Sequence, residues 1–513
     1  MADNNKFILK NFQNVRNIIF PLGLIAVIGF LIRINFVSFD IPITLDGLIY
    51  FWYAIDLSQS GVFPSNYPEA VNNGWPTFLS IFFSFYESEN FLDFMAMQRL
   101  ISIIISVSTV IPIYFLCKKF VPNSFAIFGA GLFIFEPRII QNSTLGITEP
   151  LTIFLFTFSL VLFLKNENKW IYIAFALISL GILIRVEMIF GFIALSVGFF
   201  WRNRENRRNL IKYSICLGIL FLILTPMIEI RLNTIGNDGI FSRIFYSSLN
   251  AFSESKFNDQ LESGSKSILF FQGIENFVKF LGWIMIPVFL IFVPYGIIIL
   301  LKNRNFEKKF IIFSSIIISI PIIYALSNAS DVRYMFTLYP LFCIASVLGI
   351  KNFSNRIRKD KIVVFLGLLL ILFLSIYYLD SKIDLEHERE AYELSKIIAN
   401  ETQKINLYGP EAKFLPVQSF SQLETFPIVN SESNQIRLID YGLPLTKDFK
   451  SVEEFLEFCK NNHITHLILD GNDDPKIIAK AYIYENDFPF LEKIYDSKED
   501  KFDYNLKIFK INY

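Results

Sequence analysis

The sequence predicts a mostly α-helical, polytopic transmembrane bundle followed by a small α/β domain. Apolar runs near spanning length recur along the first three quarters. Basic residues crowd alternate connections between those runs, and the last quarter turns hydrophilic with helical and strand patterns in alternation. Composition agrees: 53% of the 513 residues are hydrophobic and only 18% charged, with 58 Phe and 22 Tyr. That is too little charge to coat a water-soluble surface of this size, so much of the surface faces lipid.

Lys6, Lys10 and Arg16 precede the first apolar run, which continues to about Val37 without a small-residue cleavage site, as expected of a retained signal-anchor. Further runs lie near 99–116, 121–136, 150–164, 170–184, 186–201, 210–228, 277–300, 310–326, 335–350 and 362–379, which with 18–37 makes about eleven spans. Charge tests the division independently. Lys118 and Lys119, then Lys165 and Lys169, then Arg202, Arg208 and Lys212 fall on one face, followed by Lys302, Lys308 and Lys309, and by Lys351, Lys359 and Lys361. The other face holds scattered cations, among them Arg138, Arg185, Arg231 and Arg333. The positive-inside rule therefore predicts a multi-pass cell-membrane protein with a cytoplasmic N-terminus and an extracytoplasmic C-terminal domain.

Residues 1–379 form the predicted transmembrane domain, with outer loops at 38–98 and 229–276, and 380–513 the outer α/β domain. From Ser38 to Gln98 there is no Lys or Arg, although Asp40, Asp46, Asp56, Glu69, Glu87, Glu89 and Asp93 are present. Residues 229–276 are Ser-, Asn- and Gly-rich and read as a long loop. In the tail, SVEEFLEFCKNN has the period of an amphipathic helix, ITHLILD and YNLKIFKI read as strands, and INLYGP as a strand and turn.

A net charge of zero lacks the basic footprint of a nucleic-acid binder. Cys117, Cys216 and Cys343 lie in or beside apolar runs and read as packing residues, while Cys459 stands alone in the tail. No CxxC or HExxH spacing occurs, and His387, His463 and His466 are all in the tail, so neither a metal nor another cofactor is expected.

Charge near hydrocarbon is expensive, roughly 2.5–3.5 kcal/mol per group on insertion scales. Four such clusters fall at the outer ends of the runs: Asp46 in TLDGLIY, Arg138 and Glu149 in EPRIIQNSTLGITEPL, Arg185 and Glu187 in LIRVEM, and Arg333 with Tyr334 in SDVRYMF. Each has a plain structural reading as well. Asp46 suits the N-cap of a short helix starting at Gly47. Glu149 before Pro150 suits a helix start with a carboxylate on the positive end of the dipole. Arg185 and Arg333 suit helix ends anchored by snorkelling.

As an ordered set these motifs resemble the GT-C glycosyltransferases, in particular the dolichyl-phosphate-mannose protein mannosyltransferase-like branch. The likeness rests on the first-loop Asp46 with Tyr50 and AIDLSQSG after it, GWP at 74–76, TEPL at 148–151, LIRVE at 183–187 and RYMFTLYP at 333–340, and it runs over about residues 15–350. The sequence departs from many relatives at Gly47, where they carry a second acidic residue. The resemblance implies a polyprenyl-phosphate-linked sugar as donor, used on the outer face with inversion, and a protein, lipid or glycan as acceptor. It further implies Asp46 as general base, Glu149 as a catalytic residue orienting acceptor or sugar, and Arg138, Arg185 and Arg333 as ligands of the lipid phosphate. Tyr50, Glu187 and Tyr334 would then contact substrate. Two other readings stay open on the residues alone: a lipid or sugar transporter or flippase, whose polar groups would sit at mid-span, and a non-catalytic scaffold that presents the outer domain.

Overall fold

The structure, a computed structural model, describes residues 2–43, 45–65, 73–202, 208–240, 242, 265–287, 289–290, 292–302, 305–328, 331–357, 359–401, 406–408, 443–444, 449, 451–470 and 478–513. The chain divides into two compact units. One comprises Met1–Val37, Ile49–Ser84 and Met97–Lys382; the other comprises Ser38–Leu48, Phe85–Ala96 and Ile383–Tyr513.

The first unit is helical. Its elements are α1 (Ala2–Asn35), α2 (Leu45–Ser60, entered from the second unit), α3 (Gly74–Phe83), α4 (Phe91–Ser108, also entered from there), α5 (Val110–Lys118), α6 (Asn123–Ile134) and α7 (Pro137–Ser143). Then follow α8 (Glu149–Phe163), α9 (Asn168–Ile184), α10 (Ile189–Arg202), α11 (Arg208–Ile235), α12 (Ser265–Met285), α13 (Phe292–Lys302), α14 (Phe306–Asn328), α15 (Tyr339–Ile357) and α16 (Asp360–Asp380). Among the described residues six helical stretches are long and apolar enough to cross a bilayer, or seven if the pair α6–α7, bent by 54°, is one span. Helices α8, α9 and α13 are apolar but shorter. In α11 only 22% of the most apolar window is buried in protein, which leaves Phe221 and Leu222 facing outward as lipid-exposed residues do. The molecule is a multi-pass membrane protein.

Several expectations need correction. The run 277–300 is not one helix: α12 ends at Met285 and α13 begins at Phe292, with Pro287, which has no N–H to continue a helix, in the break. The segment 229–276 is not all loop, since α11 runs on to Ile235 and α12 starts at Ser265; residues 241 and 243–264 lie outside those described. Between 38 and 98 the chain forms α2, α3 and the start of α4. Asp46 does not cap a helix starting at Gly47, because α2 begins at Leu45 and Asp46 sits within its first turn.

Close backbone approach fixes parts of the bundle. A Cβ on Gly296 of α13 would stand 1.8 Å from the Ala345 carbonyl oxygen of α15, so these helices pack main chain to main chain.

In the second unit, Ile43 donates its N–H to Met95 Sδ at 3.2 Å, tying two of its three segments. Its third segment starts with α17 (Leu385–Glu401) and contains β1 (Asn406–Tyr408), β2 (Leu443–Pro444), α18 (Val452–Asn461), β3 (His466–Asp470), β4 (Leu491–Asp496) and β5 (Leu506–Ile511). The strands form one mixed sheet in the order β2-β1-β3-β5-β4. Strand β1 is parallel to β2 and β3, and β5 is antiparallel to β3 and β4, with Leu467 opposite Phe509 and Ile468 opposite Ile508. Alternation decides the faces. Leu467, Leu469, Phe509 and Ile511 pack with Phe455 and Cys459 of α18, while Ile468, Leu506 and Ile508 pack with Ala391 of α17. The expected helix and both long strands are present, and Ser451 caps α18 by accepting the Glu454 N–H. Strand β4 was not foreseen, and the turn expected at Gly409 and Pro410 lies outside the described residues.

Candidate active site

The long apolar stretch 170–201 breaks at Arg185, whose extended backbone (φ −145°, ψ 117°) ends α9; a single 3-10 turn, Val186–Met188, then leads into α10. Helix α8 begins one element earlier at Glu149, with Pro150 in its first turn, where the missing N–H is harmless. Because α8 and α9 pack as an antiparallel pair, the start of one meets the end of the other. Arg185 Nη1 lies 2.5 Å from Glu149 Oε1, and Arg185 Nε lies 3.5 Å from Glu187 Oε2. The Arg185 and Glu149 side chains are only 11% and 6% exposed, so one guanidinium between two carboxylates is shielded from water and its pairing is strong.

The turn Val332–Leu338 closes over this group. The guanidinium of Arg185 lies 5.2 Å from the centre of the Tyr334 ring, a cation–π distance. Tyr50 of α2 is also within electrostatic reach of Arg185. A small pocket opens here between Arg185, Glu187, Met188, Pro321, Tyr334 and Thr337. Arg333, one residue earlier, folds onto its own neighbour: its backbone N–H and Nε donate to Asp331 at 2.9 and 2.7 Å.

The GWP turn positions these ends. A Cβ on Gly74 would lie 2.7 Å from the Leu183 carbonyl carbon and oxygen, so only glycine lets α3 sit against the chain two residues before Arg185. Trp75 Nε1 donates to the Gly146 carbonyl at 2.9 Å, and Gln98 Nε2 donates to the same oxygen at 2.7 Å, three residues before Glu149. GWP, TEPL, LIRVE and RYM thus converge, although Gly74 and Tyr334 are far apart in the chain.

Arg138 belongs to a second buried group. Its Nη1 bonds the Ile286 carbonyl at 2.5 Å and reaches Glu136 Oε1 at 3.3 Å, and its guanidinium lies over the Tyr378 ring. The Tyr339 hydroxyl stands 3.3 Å from the same Glu136 oxygen. Arg138 and Arg185 share none of these partners. Asp46 is exposed in the first turn of α2, on the segment Ser38–Leu48 of the second unit. Tyr50 follows it one helical turn later, on the same face of α2.

Sequence reasoning passed over three residues that the structure makes prominent. Glu136 was adjacent to Arg138 and directly before a proline, a signal that was available. Asn73 precedes the GWP turn and bridges Arg231 (Nη1 to Oδ1, 2.5 Å) to the Tyr53 hydroxyl (2.9 Å). Arg33 is fully buried, donating to Ser143 Oγ (3.0 Å), Ser106 Oγ (3.1 Å), the Gly29 carbonyl (2.8 Å) and the Ile134 carbonyl (3.1 Å). Among the described residues no carboxylate is paired with it. It brackets the α6–α7 bend that carries Glu136 and Arg138.

Comparison with known proteins identifies the fold. Residues 91–228 match the family described as dolichyl-phosphate-mannose-protein mannosyltransferase, a segment that contains Arg138, Glu149, Arg185 and Glu187. No curated protein matches the sequence. Among solved structures, ArnT from Cupriavidus metallidurans bound to undecaprenyl phosphate superposes with a TM-score of 0.55 at 10% identity, over 96% of this chain and 98% of that one. The Archaeoglobus fulgidus oligosaccharyltransferase in the apo form gives 0.55 at 13% identity, over 89% and 70%. The same organism's AglB, in complex with an inhibitory peptide and a dolichol-phosphate, gives 0.52 at 13% identity, over 88% and 69%. The fold is that of the GT-C glycosyltransferases. The family match covers little more than a quarter of the chain, and the solved structures share its fold at 10–13% identity.

Proposed function

We propose that the protein transfers a sugar from a polyprenyl-phosphate-linked donor to an acceptor hydroxyl at the outer membrane face, with inversion at the anomeric carbon. In this reading the N-terminus is cytoplasmic, residues 1–379 carry the catalysis and 380–513 form an outer domain, as the distribution of Lys and Arg supports. The observation that carries the reading is the buried Glu149–Arg185–Glu187 group at the ends of α8 and α9, inside the segment that matches the mannosyltransferase family. That two neighbours of this fold are described with undecaprenyl phosphate and dolichol-phosphate supports the donor class.

The chemistry needs few groups. The acceptor oxygen attacks the anomeric carbon while the bond from that carbon to the phosphate oxygen breaks, and the acceptor proton passes to a base. We assign the base to Asp46, a role commonly worth ~10²–10⁴-fold. The polyprenyl phosphate leaves with added negative charge, which Arg138, Arg185 and Arg333 would stabilise by charge-assisted hydrogen bonds. Glu149 orients the acceptor or sugar, and Tyr50, Glu187 and Tyr334 contact the sugar by hydrogen bonds or stacking. The test is reconstitution: purified protein in liposomes, supplied with radiolabelled polyprenyl-phosphate sugars, is expected to release free polyprenyl phosphate and label an acceptor. Movement of intact donor across the bilayer without cleavage would instead establish a flippase.

A further inference from the structure

At the end of α8 and α9 away from Glu149 and Arg185 lies an open cavity of about 440 Å3, lined among others by Lys119, Lys165, Arg202, Glu307 and Lys309. Helix α8 has 15 residues, which sets the two ends ~22 Å apart at ~1.5 Å per residue. We propose that this cavity binds the phosphate headgroup of an anionic membrane lipid.

Four cations face one carboxylate, and among the described residues no carboxylate lies within ion-pair distance of these four. A cavity of that balance at the end of a transmembrane bundle attracts phosphate. Arg202, half-buried at the end of α10, is held in place: one Nη1 hydrogen bond runs to the Phe163 carbonyl at 3.1 Å, and its guanidinium lies 4.3 Å from the Phe306 ring centre and 5.4 Å from that of Phe163. A fixed, flat guanidinium with donors to spare suits a phosphate better than mobile lysines alone. Lys165 is placed by a contact of its ammonium with the Trp170 ring, 4.1 Å from the centre. Trp201, also in the lining, is half-buried at the helix end, where interfacial Trp side chains sit at headgroup level. The lipid source is favoured because α10 itself presents Ile193, Val197 and Phe200 outward, a surface along which acyl chains can lie while the headgroup enters the basic cavity.

The experiment compares lipids on the full-length protein by native mass spectrometry in detergent, with phosphatidylglycerol and phosphatidylcholine at equal concentration and inorganic phosphate as a third arm. Preferential retention of phosphatidylglycerol is expected, undisturbed by inorganic phosphate. Each removed charge is expected to weaken retention roughly 5-fold, so the double variant Lys165→Gln/Arg202→Gln loses roughly 25-fold. Arg202 also packs, so a second double variant, Lys119→Gln/Lys309→Gln, changes only exposed side chains and is expected to show the same loss. Equal retention of both lipids, unchanged retention in the second variant, or displacement of the lipid by inorganic phosphate would each overturn the assignment. None of these readouts depends on sugar transfer.

Discussion

Arg185 Nη1 and Glu149 Oε1 stand 2.5 Å apart across 36 residues of sequence, joining the end of one apolar helix to the start of its neighbour. A pair so well buried is costly to break from either side. Glu149→Leu deprives the shielded guanidinium of its shortest carboxylate contact, and Arg185→Leu leaves the buried Glu149 without that cation; each is expected to destabilise by about 3–5 kcal/mol. Thermal unfolding in detergent of both single variants and the double variant checks this. The double is expected to lose less than the two singles together, by roughly 1–3 kcal/mol.

Gly74→Ala tests whether α3 holds the Arg185 elbow in place. The added methyl carbon would meet the Leu183 main chain at 2.7 Å, and backbone cannot step aside as a flexible side chain does. A loss of about 1–3 kcal/mol is expected, accompanied by reduced sugar transfer because the displaced segment carries Arg185. Unchanged stability and turnover would show that α3 does not position the elbow.

Arg33→Met replaces a fully buried guanidinium by an apolar side chain of similar length. Ser106, Ser143 and the Ile134 carbonyl lose their donor, and a buried polar group left unmatched costs about 1–3 kcal/mol. The melting temperature should fall, and Arg33→Lys should restore only part of it, since one ammonium cannot span acceptors on three helices.

Part of the acid dependence of the second unit comes from Asp40. Arg389, with help from Ser38, hydrogen-bonds the Asp40 carboxylate and holds its pKa down at about 2, below the ~3.9 of an unfolded aspartate. The stabilisation is therefore fully present above pH ~4 and disappears as pH falls through about 2. Both side chains are exposed, so screening keeps the effect small. Asp40→Asn should leave the unfolding midpoint at neutral pH nearly unchanged and flatten part of the decline on the acid side; an unaltered acid profile would show the pair to be inert.

Much of this architecture was legible in the sequence, and the reasons differ by residue. Apolar length and the placement of Lys and Arg announced the bundle, and the charges in TEPL, LIRVE and RYM were conspicuous because charge near lipid demands a reason. Their meeting could be guessed only from level in the membrane; the partner choices, Glu149 with Arg185 but Arg333 with Asp331, depend on helix rotation that periodicity does not encode. Arg33 was invisible because a lone arginine near the end of an apolar run looks like a snorkelling anchor, and only packing shows that it points inward. Pro287 lay in plain view inside 277–300, yet proline is tolerated in membrane helices often enough that the break did not follow from it. Strand β4, LEKIYD, mixes charged and apolar residues without strict alternation, and pairing with β5 rather than local pattern makes it a strand.

The most direct test of the account is sugar release from a labelled polyprenyl-phosphate donor by proteoliposomes carrying either the wild-type chain or Asp46→Asn. The substitution keeps size and shape and removes only the basicity assigned to that position. Transfer is expected to fall by ~10²-fold or more while insertion and melting temperature stay as they were. Turnover equal to wild type would contradict the assignment of Asp46 as the base.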